Sequence, residues 1–284
     1  MRMFLLLALL LAALPARAQQ PVIPNFWDPQ ERFIKPNLAD RRRLRFLTVT
    51  DFAPFSYIDA RKRLSGFHVD LARMVCEELN LSPVCQIQGI PAQDLADALE
   101  RGVGDVVLAG LIASPATREK FIHSRAYFRL PARLAVRADG GLATPLGRTG
   151  FAGAIDALAG RTVAVTEGTA QAAFARARFG AQTKLRLFAT ADAAFRALAA
   201  GRVDGVFDDG LSLARRLQSG AGGDCCLLAG PPFLAPPYFG QAMTAAVRGD
   251  DYDLAEGINF ALKAIAADGR FRELYLRYFP VSPY

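Results

Sequence analysis

Acidic and aromatic side chains follow directly after a buried strand that we predict near the start of the chain. Residues 44–50 are apolar and bulky enough to form a strand buried on both faces, and Asp51, Phe52 and Phe55 come next. In open parallel sheets, small ligands bind in loops at the carboxyl ends of strands. The carboxylate and the two rings therefore predict a small-molecule site. The alternative is that the rings only cover the end of the sheet.

The flanking elements hold this loop in place. Pro54 removes a backbone donor and pushes Ala53 toward extended geometry, so the segment cannot continue the strand. Beyond Gly66, residues 70–80 have apolar side chains on one helical stripe and charged ones off it. The sequence thus predicts a strand–loop–helix unit.

The same layout recurs in the second half of the chain. Residues 162–169 again indicate a buried strand, an acidic residue and a loop. Residues 201–209 repeat the pattern of residues 102–110, in which a glycine and an aspartate precede a buried strand. Two copies of an α/β unit imply two similar lobes with facing strand ends. We therefore predict a ligand site in the cleft between the lobes.

The sequence predicts no cofactor and no metal. It contains no Cys-x-x-Cys or Cys/His ligand spacing, and His68 and His123 have no ligand-like neighbours. We also find no phosphate-binding loop and no pairing of a nucleophile with a base. These residue types favour ligand binding over catalysis.

The first residues predict export from the cytoplasm. Arg2 is a positive n-region, residues 4–14 are an apolar h-region, and residues 16–18 form a small-x-small cleavage site. We expect residues 1–18 to be a cleaved signal peptide; the alternative is an uncleaved anchor. The mature protein should be soluble and periplasmic, and residues 19–40 should form an irregular arm against its body.

Composition predicts a globular protein. The chain has 284 residues, of which 21% are charged, and its formal net charge is +7. That length allows two lobes of ordinary domain size. The positive charge would suit an anionic ligand or surface, although a solvated charged face is the default reading. Because no basic helix or aromatic-interleaved basic stripe occurs, nucleic acid is not an expected partner.

Three motifs carry a resemblance to a known family. They are TDFAPFSY at residues 50–57, GFHVDLA at residues 66–72 and DVVLAG at residues 105–110. The chain resembles the bacterial extracellular solute-binding proteins, family 3, of the amino-acid-binding type, from about residue 44 to about residue 280. The resemblance implies the α/β fold of type II periplasmic binding proteins, in which a two-crossover hinge joins two lobes, each a mixed sheet flanked by helices.

The resemblance also implies lobe boundaries and an activity. Lobe 1 would contain residues 41–133 and 237–284, and lobe 2 would contain residues 134–236. A monomer would capture a small polar or zwitterionic solute, an amino acid or a related compound, between closing lobes. It would then deliver the solute to the permease of an ABC transporter in the inner membrane.

Several residues match the family's ligand-binding positions. Phe52 matches the stacking aromatic and Asp51 the acid beside it, although Phe52 could instead be a core ring. Asp209 matches the aspartate that binds the ligand's ammonium, and Asp208 takes that role if the register slips by one. The alternative for Asp209 is an acid that starts a helix. A zwitterion bound in a desolvated cleft needs both of its charges paired.

The carboxylate end of the site combines matches and departures. Gly168 and Thr169 match a turn at a helix N-terminus, where free N–H groups attract a carboxylate. Ala170 stands where many family members have a second hydroxyl.

The largest departure concerns the carboxylate-binding arginine. Gly110 keeps the family's glycine, but Ile112 replaces a site hydroxyl. Aligned without a gap, Thr117 takes the arginine's place, and Arg118 enters the cleft only if the loop carries an extra residue. The alternative for Arg118 is a solvated charge at a helix start. If Ile112, Phe52 and Phe55 face the cleft, they favour a more apolar solute.

Four cysteines suit the oxidising compartment of an exported protein. Cys76 lies on the first helix and Cys85 just beyond its end, and some family members have a bridge at a similar place. We expect a Cys76–Cys85 disulfide. Cys225 and Cys226 are adjacent and can pair only through a strained vicinal bond, so their state stays open.

Two other functions compete with solute binding. The family resembles periplasmic cyclohexadienyl dehydratases, for which Glu167, Asp208 or Asp209 would be a proton donor. A donor should have a raised pKa, whereas an ammonium-binding acid should have a lowered one. A docking protein that binds no solute would instead show a large exposed apolar patch around Phe26 and Trp27.

Overall fold

The computed structural model describes residues 23–28, 30–111, 113–143, 150–218 and 225–284. The predicted signal peptide and Ile112 lie outside these residues. The strands are β1 (Leu44–Thr48), β2 (Asp51–Phe52), β3 (Ser56–Ile58), β4 (Leu64–Ser65), β5 (Cys85–Gly89), β6 (Val106–Val107), β7 (Phe121–His123), β8 (Phe128–Arg129), β9 (Ala132–Arg137), β10 (Thr162–Thr166), β11 (Lys184–Phe188), β12 (Gly205–Asp209), β13 (Cys226–Phe233), β14 (Ala242–Met243) and β15 (Ala246–Arg248). The helices are α1 (Phe67–Glu78), α2 (Leu95–Glu100), α3 (Pro115–Arg118), α4 (Phe151–Asp156), α5 (Ala170–Arg178), α6 (Ala191–Ala199), α7 (Gly210–Gln218), α8 (Tyr252–Ala267) and α9 (Arg270–Tyr278).

The first lobe is built on a mixed five-stranded sheet with the order β5-β1-β6-β15-β7. Strands β5, β1 and β6 run parallel, and β15 is antiparallel to both β6 and β7. Leu44, Phe46 and Leu47 in β1 are buried completely or almost so. The prediction of a strand buried on both faces is therefore confirmed. The strand ends at Thr48, two residues earlier than predicted.

The second lobe repeats this plan on a sheet with the order β11-β10-β12-β9-β13. Strand β10 is parallel to β11 and β12, as β1 is to β5 and β6, and β9 is antiparallel to β12 and β13. The sequence repeat thus produces two mixed sheets, and the predicted fold class is confirmed.

Helices cover both faces of each sheet. In the first lobe, α1 packs against α8 and α9 on one side, and α2 packs on β1, β6 and β15 on the other. In the second lobe, α5 supplies Phe174 to the core around Phe207, while α6 supplies Phe195 to a separate core around Val206. Because Val206 and Phe207 are consecutive in β12, their side chains point to opposite faces of that sheet.

The chain crosses between the lobes twice. It leaves the first sheet after β7 and returns to it at β15, and each crossing contains one short strand, β8 or β14. These two strands pair with each other in antiparallel register, Ala242 opposite Arg129 and Met243 opposite Phe128. The crossings therefore form one hydrogen-bonded ribbon, which is the two-crossover hinge expected of the fold.

The end of the chain lies beside this ribbon. The Tyr284 hydroxyl donates to the carbonyl of Arg129 in β8, and the guanidinium of Arg133 in β9 donates to the carbonyl of Pro283 at 3.3 Å. An added Cβ at Gly210, the first residue of α7, would lie 3.1 Å from the Pro283 oxygen and 2.9 Å from the Pro131 oxygen. The last residues thus contact the hinge and both lobes.

Residues 23–28 and 30–43 contain no helix or strand and lie on the first lobe. Trp27 packs against the core of that lobe, Leu38 is buried, and Arg41 pairs with Asp251 at 2.8 Å. Phe26 is half-buried and its ring contacts the Tyr284 ring edge-on. Phe26 and Trp27 therefore do not form the exposed apolar patch that the docking hypothesis requires.

Both cysteine pairs are disulfides. Cys76 at the end of α1 is bonded to Cys85 at the start of β5, as the sequence predicts. Cys225 and Cys226 are bonded to each other at the start of β13. Within the described residues, no helix is both long and apolar enough to cross a bilayer.

Candidate functional site

A cavity of about 700 Å³ lies between the loop that follows β1 and the start of α7. Its lining comes from both lobes: Asp51, Phe52 and Ala53 from the first, and Asp192, Asp209, Leu211, Ser212, Arg215 and Arg216 from the second. The structure thus places the predicted residues Asp51, Phe52 and Asp209 at one cleft.

Phe52 is the aromatic residue in the lining of this cavity. Its half-buried ring stacks on the Phe55 ring with centroids 4.8 Å apart and an angle of 24° between the planes. One face is thereby supported by the core of the first lobe, and the side chain still lines the cavity. Phe52 thus lines the cavity, and its stacking against a ligand stays a prediction.

Phe55 corrects the sequence-based expectation of a ligand-contacting ring. Its side chain is fully buried and packs edge-on against Phe67 and Phe128. Two consecutive turn residues separate it from Phe52, so one ring enters the cavity while the other enters the core. Phe55 supports Phe52 from below and does not line the cleft. Of the residues thought to favour an apolar solute, Phe52 lines the cavity and Phe55 does not, while Ile112 lies outside the described residues.

Gly110 lies against the edge of Phe52. Its φ of +75° is a conformation that side chains rarely adopt, and an added Cβ would lie 3.6 Å from a ring carbon of Phe52. The backbone N–H of Gly110 donates to the hydroxyl of Tyr127, and that hydroxyl lies 2.9 Å from Nε2 of His68. This chain of buried groups fixes the backbone beside the Phe52 ring.

His68 is fully buried within the aromatic core under the site. Burial lowers the pKa of its imidazole to about 3, so the ring is neutral at physiological pH. Its Nε2 shares a hydrogen bond of 2.9 Å with the Tyr127 hydroxyl. His68 is therefore a neutral member of a buried hydrogen-bond network and not a charge in the site.

Asp209 is the last residue of β12 and directly precedes α7. Its Oδ1 accepts from the backbone N–H of Ser212 at 2.9 Å, which caps the helix. Among the described residues, no lysine or arginine side chain lies within 4 Å of its carboxylate. The side chain thus caps a helix and lines the cavity at the same time, so the two readings of the sequence are compatible.

Burial raises the pKa of Asp209 to about 6, and the neighbouring charge of Asp208 adds to that shift. The pKa of Asp208 is also raised by burial. A raised pKa is the direction expected of a proton donor, but the cause here is desolvation without a cationic partner. An arriving ammonium would lower the pKa of Asp209 again, because an opposite charge favours the ionised form.

The turn at Gly168 and Thr169 does not line the cavity. The hydroxyl of Thr169 donates to the carbonyl of Thr166 at 2.7 Å and accepts from the N–H of Ala172 at 3.1 Å, which caps α5. Gly168 is exposed with a φ of +74°. The structure gives this hydroxyl a structural role, and contact of the turn with a ligand stays a prediction.

Arg118 is exposed at the last residue of α3 and does not line the cavity. Its charge helps to lower the pKa of His123, after burial as the main cause. The hydroxyl of Thr117 accepts from the backbone N–H of Ser114 at 2.9 Å in a capping box. Neither candidate for the family's arginine position therefore brings a cation to this cavity.

Sequence reasoning missed the polar residues of the second lobe. Asp192 lies in the first turn of α6, and Ser212, Arg215 and Arg216 lie on α7. Residues three and four apart share a helix face, so the spacing of these three was the available signal. Arg216 donates to Oδ1 of Asp192 from two nitrogens, at 2.8 and 3.1 Å, and also to the hydroxyl of Ser212.

Residues 44–281 match the model of the bacterial extracellular solute-binding proteins, family 3. The lysine/arginine/ornithine-binding periplasmic protein of Escherichia coli (strain K12) is 26% identical over 242 residues, which are 85% of this chain and 89% of that protein. The L-arginine-binding protein of Pseudomonas aeruginosa is 25% identical over 250 residues, 88% of this chain and 92% of its own.

Solved structures have the same fold. An ancestral cationic amino acid solute-binding protein superposes with a TM-score of 0.61 at 25% identity, over 84% of this chain and 96% of its own. An ancestral cyclohexadienyl dehydratase superposes with a TM-score of 0.68 at 19% identity, over 86% of this chain and 95% of its own. Because the identity to the dehydratase is only 19%, this superposition shows a shared fold and nothing about activity.

Proposed function

Because the chain belongs to the bacterial extracellular solute-binding proteins, family 3, we propose that its cleft captures an amino acid with a positively charged side chain. The observation that carries this proposal is the placement of Phe52 and Asp209, from different lobes, at one cavity. In this proposal Asp209 binds the α-ammonium and Phe52 stacks on the side chain. A cation next to Asp209 also offsets the cost of its burial.

The charge of the cavity supports a cationic ligand. Its lining contains three carboxylates, those of Asp51, Asp192 and Asp209, and two guanidinium groups, so the formal charge is 2 − 3 = −1. A lysine or arginine molecule carries +1 and would neutralise it. Asp51 is exposed at the cavity edge and is our candidate partner for the ligand's side-chain cation.

The names of the relatives support the same class. The two relatives described above bind, by their names, arginine, lysine or ornithine. A histidine-binding periplasmic protein of Salmonella typhimurium is 23% identical over 86% of this chain. These relatives are named for binding and not for dehydration.

Closure of the lobes would accompany capture. A ligand can contact Phe52 and Asp209 at the same time only when the two lobes approach each other. Because the closed form then makes more contacts with the ligand than the open form, binding shifts the equilibrium toward the closed form. The ribbon of β8 and β14 is the hinge for that motion. The proposed lobe boundaries, residues 41–133 with 237–284 for lobe 1 and residues 134–236 for lobe 2, lie a few residues from this ribbon on the side of the second lobe, and Ala132 and Phe239 already pack in the core of that lobe.

The test is a thermal-shift screen of the mature protein against the twenty amino acids and ornithine, with buffer alone as the control. Lysine, arginine or ornithine should raise the melting temperature by mass action, and calorimetry should then give one site per chain. Asp209→Asn should weaken that binding, whereas Asp253→Asn, an exposed acid of α8, should not. If no cationic amino acid binds, the proposed ligand class is wrong.

We further propose that the protein is cleaved after Ala18, acts as a periplasmic monomer and delivers its ligand to the permease of an ABC transporter. The periplasmic names of the relatives support the compartment. Mass spectrometry of the exported protein should find Gln19 as the first residue. Light scattering should give the mass of one chain, and transport in vesicles should require the permease of an amino-acid transporter.

A further inference from the structure

Arg215 brings a positive charge to the cavity from the second lobe. It lies on α7, its side chain is exposed, and it lines the same cavity as Phe52 and Asp209. A guanidinium group has five N–H donors in a planar fork. The hydrogen bond recorded for Arg215 is a long one, from Nη1 to the carbonyl oxygen of Ala53 at 3.5 Å. Most of the donors are thus available to a ligand.

Its neighbour Arg216, in contrast, is paired with a carboxylate of the cavity lining. Two of its nitrogens bind Oδ1 of Asp192, and a third binds the hydroxyl of Ser212. By contrast, among the residues that the structure describes, no carboxylate lies within 4 Å of Arg215. The charge of Arg215 is therefore the one in the cavity lining that still lacks an anion.

Among the described residues, the first lobe lines this cavity with Asp51, Phe52 and Ala53 and supplies no such cation. Arg118, which the sequence suggested for the carboxylate of a ligand, is exposed at the end of α3 and does not line the cavity. The hydroxyl of Thr117 is engaged in a helix cap, as is the hydroxyl of Thr169 in the second lobe. A ligand carboxylate in this cavity would remain unpaired unless the second lobe binds it, and an unpaired buried charge is costly.

We propose that Arg215 binds the carboxylate of the captured amino acid, in the role that the sequence assigned to Arg118. This inference rests on the proposed function, because it names the partner of a ligand that the cleft is proposed to hold. The second lobe then holds both α-groups, the ammonium on Asp209 and the carboxylate on Arg215 of the adjoining helix. The first lobe contributes Phe52 and Asp51 to the side chain of the ligand.

The position of Arg215 also offers a competing role. Its bond to Ala53 joins the lobes, and a second cavity of about 230 Å³ lies on the other side of Ala53, Leu211 and Arg215. Arg215 could then act as a latch between the lobes without touching a ligand. A latch would favour every ligand that requires closure, whereas a carboxylate partner favours only ligands that carry a carboxylate.

The experiment compares two ligand pairs that differ only in the carboxylate, L-lysine with cadaverine and L-arginine with agmatine. Calorimetry on the wild type should give an amino-acid preference of about 10- to 100-fold, the effect of one charged hydrogen-bonded group. Arg215→Ala should reduce this ratio to nearly one by weakening only the amino acid. Arg215→Lys, which keeps the charge but not the fork, should retain part of the ratio.

Arg118→Ala is the matched control and should leave the ratio unchanged. The inference is overturned if Arg215→Ala weakens both members of a pair equally, if Arg118→Ala removes the preference, or if the wild type has no preference. Binding of neither amino acid by the wild type would overturn the proposed function itself and the inference with it. Melting temperatures of the variants establish that each one is folded.

Discussion

The two lobes contribute to the cleft by different physical means. The first lobe presents a ring, Phe52, which rests on a fully buried aromatic core that includes Phe55 and His68. The second lobe presents two charges, Asp209 directly before α7 and Arg215 on that helix. The first wall is thus fixed by packing, and the second is fixed by the helix cap of Asp209 and by the ion pair of Arg216 with Asp192.

This difference separates stability from affinity. Substitutions beneath the wall of the first lobe should destabilise the protein, because a packed ring cannot be removed without leaving a cavity. Substitutions on the second lobe should leave the fold intact and change which charges the cleft accepts. The five predictions below compare the two walls, beginning with the largest effect.

Phe55→Ala should destabilise the protein by about 3–5 kcal/mol, as expected for the loss of a fully buried ring. Phe52→Ala should cost much less stability, since that ring is only half-buried, and should weaken ligand binding instead. Urea unfolding and calorimetry measure the two quantities. Equal losses of stability in both variants would mean that the wall is not divided into a supporting ring and a contacting ring.

The two lobes should also respond to acid in opposite directions. His68 has a pKa of about 3 in the folded state, below its ordinary value of 6.5, so the unfolded chain binds the extra proton. Its contribution to stability is complete above pH 6.5 and falls as the pH drops, by about 2 kcal/mol between pH 6.5 and pH 5. His68→Gln should abolish that part of the slope, and His123→Gln should retain it.

The carboxyl of Asp209 opposes this trend, because its pKa of about 6 lies above its ordinary value of 3.8. The folded state then binds the proton more readily, and stability gains as the pH falls through 6. Unfolding curves of Asp209→Asn should therefore show a steeper loss in acid than those of the wild type. A shallower loss would mean that the buried acid is not protonated near pH 6.

Ligand affinity should depend on the same proton. A cationic ligand requires ionised Asp209, so its affinity should be about tenfold weaker at pH 5 than at pH 7 for a pKa of about 6. Calorimetry at both values measures this ratio, and binding at pH 6 should release a proton to the buffer. Asp209→Asn should bind more weakly but with little dependence on pH; a preserved tenfold ratio would assign the proton to another group.

Thr169→Ala should have the smallest effect. Removing the hydroxyl that caps α5 should cost about 1 kcal/mol of stability. Since Thr169 does not line the cavity, ligand affinity should stay within about twofold of the wild type. Thr190→Ala, which removes the equivalent cap of α6, is the matched control. A loss of ligand affinity in Thr169→Ala that Thr190→Ala does not show would indicate that the Gly168–Thr169 turn contacts the ligand.

Much of the fold could be predicted because local signals repeat along the chain. The apolar run of β1, the acid after it and the second copy at β10 and β12 all follow from periodicity and turn chemistry. The hinge could be expected from family resemblance alone, because no local pattern indicates that Phe128 pairs with Met243, 115 residues further along the chain.

The site was harder to predict because its parts meet across two lobes. The sequence places Phe52 and Phe55 three residues apart, but it does not specify which ring enters the core. Likewise, the sequence shows Arg118 and Arg215 as two charged residues on short helices. Only the three-dimensional position of α7 at the cleft shows that Arg215 lines the cavity and Arg118 does not. The motifs therefore indicated Asp209 correctly as a cavity residue while leaving the cation beside it unrecognised.

The C-terminal residues have a practical consequence for anyone who wishes to follow this protein in action. The Tyr284 hydroxyl donates to the carbonyl of Arg129 in the hinge strand β8, and the Pro283 carbonyl accepts from the guanidinium of Arg133 in β9 of the second lobe. A purification tag or reporter fused to the C-terminus would perturb the hinge and change the resting balance between the open and closed forms. A tag is better placed at the N-terminus of the mature protein, ahead of residues 23–28 and 30–43, which lie on the first lobe.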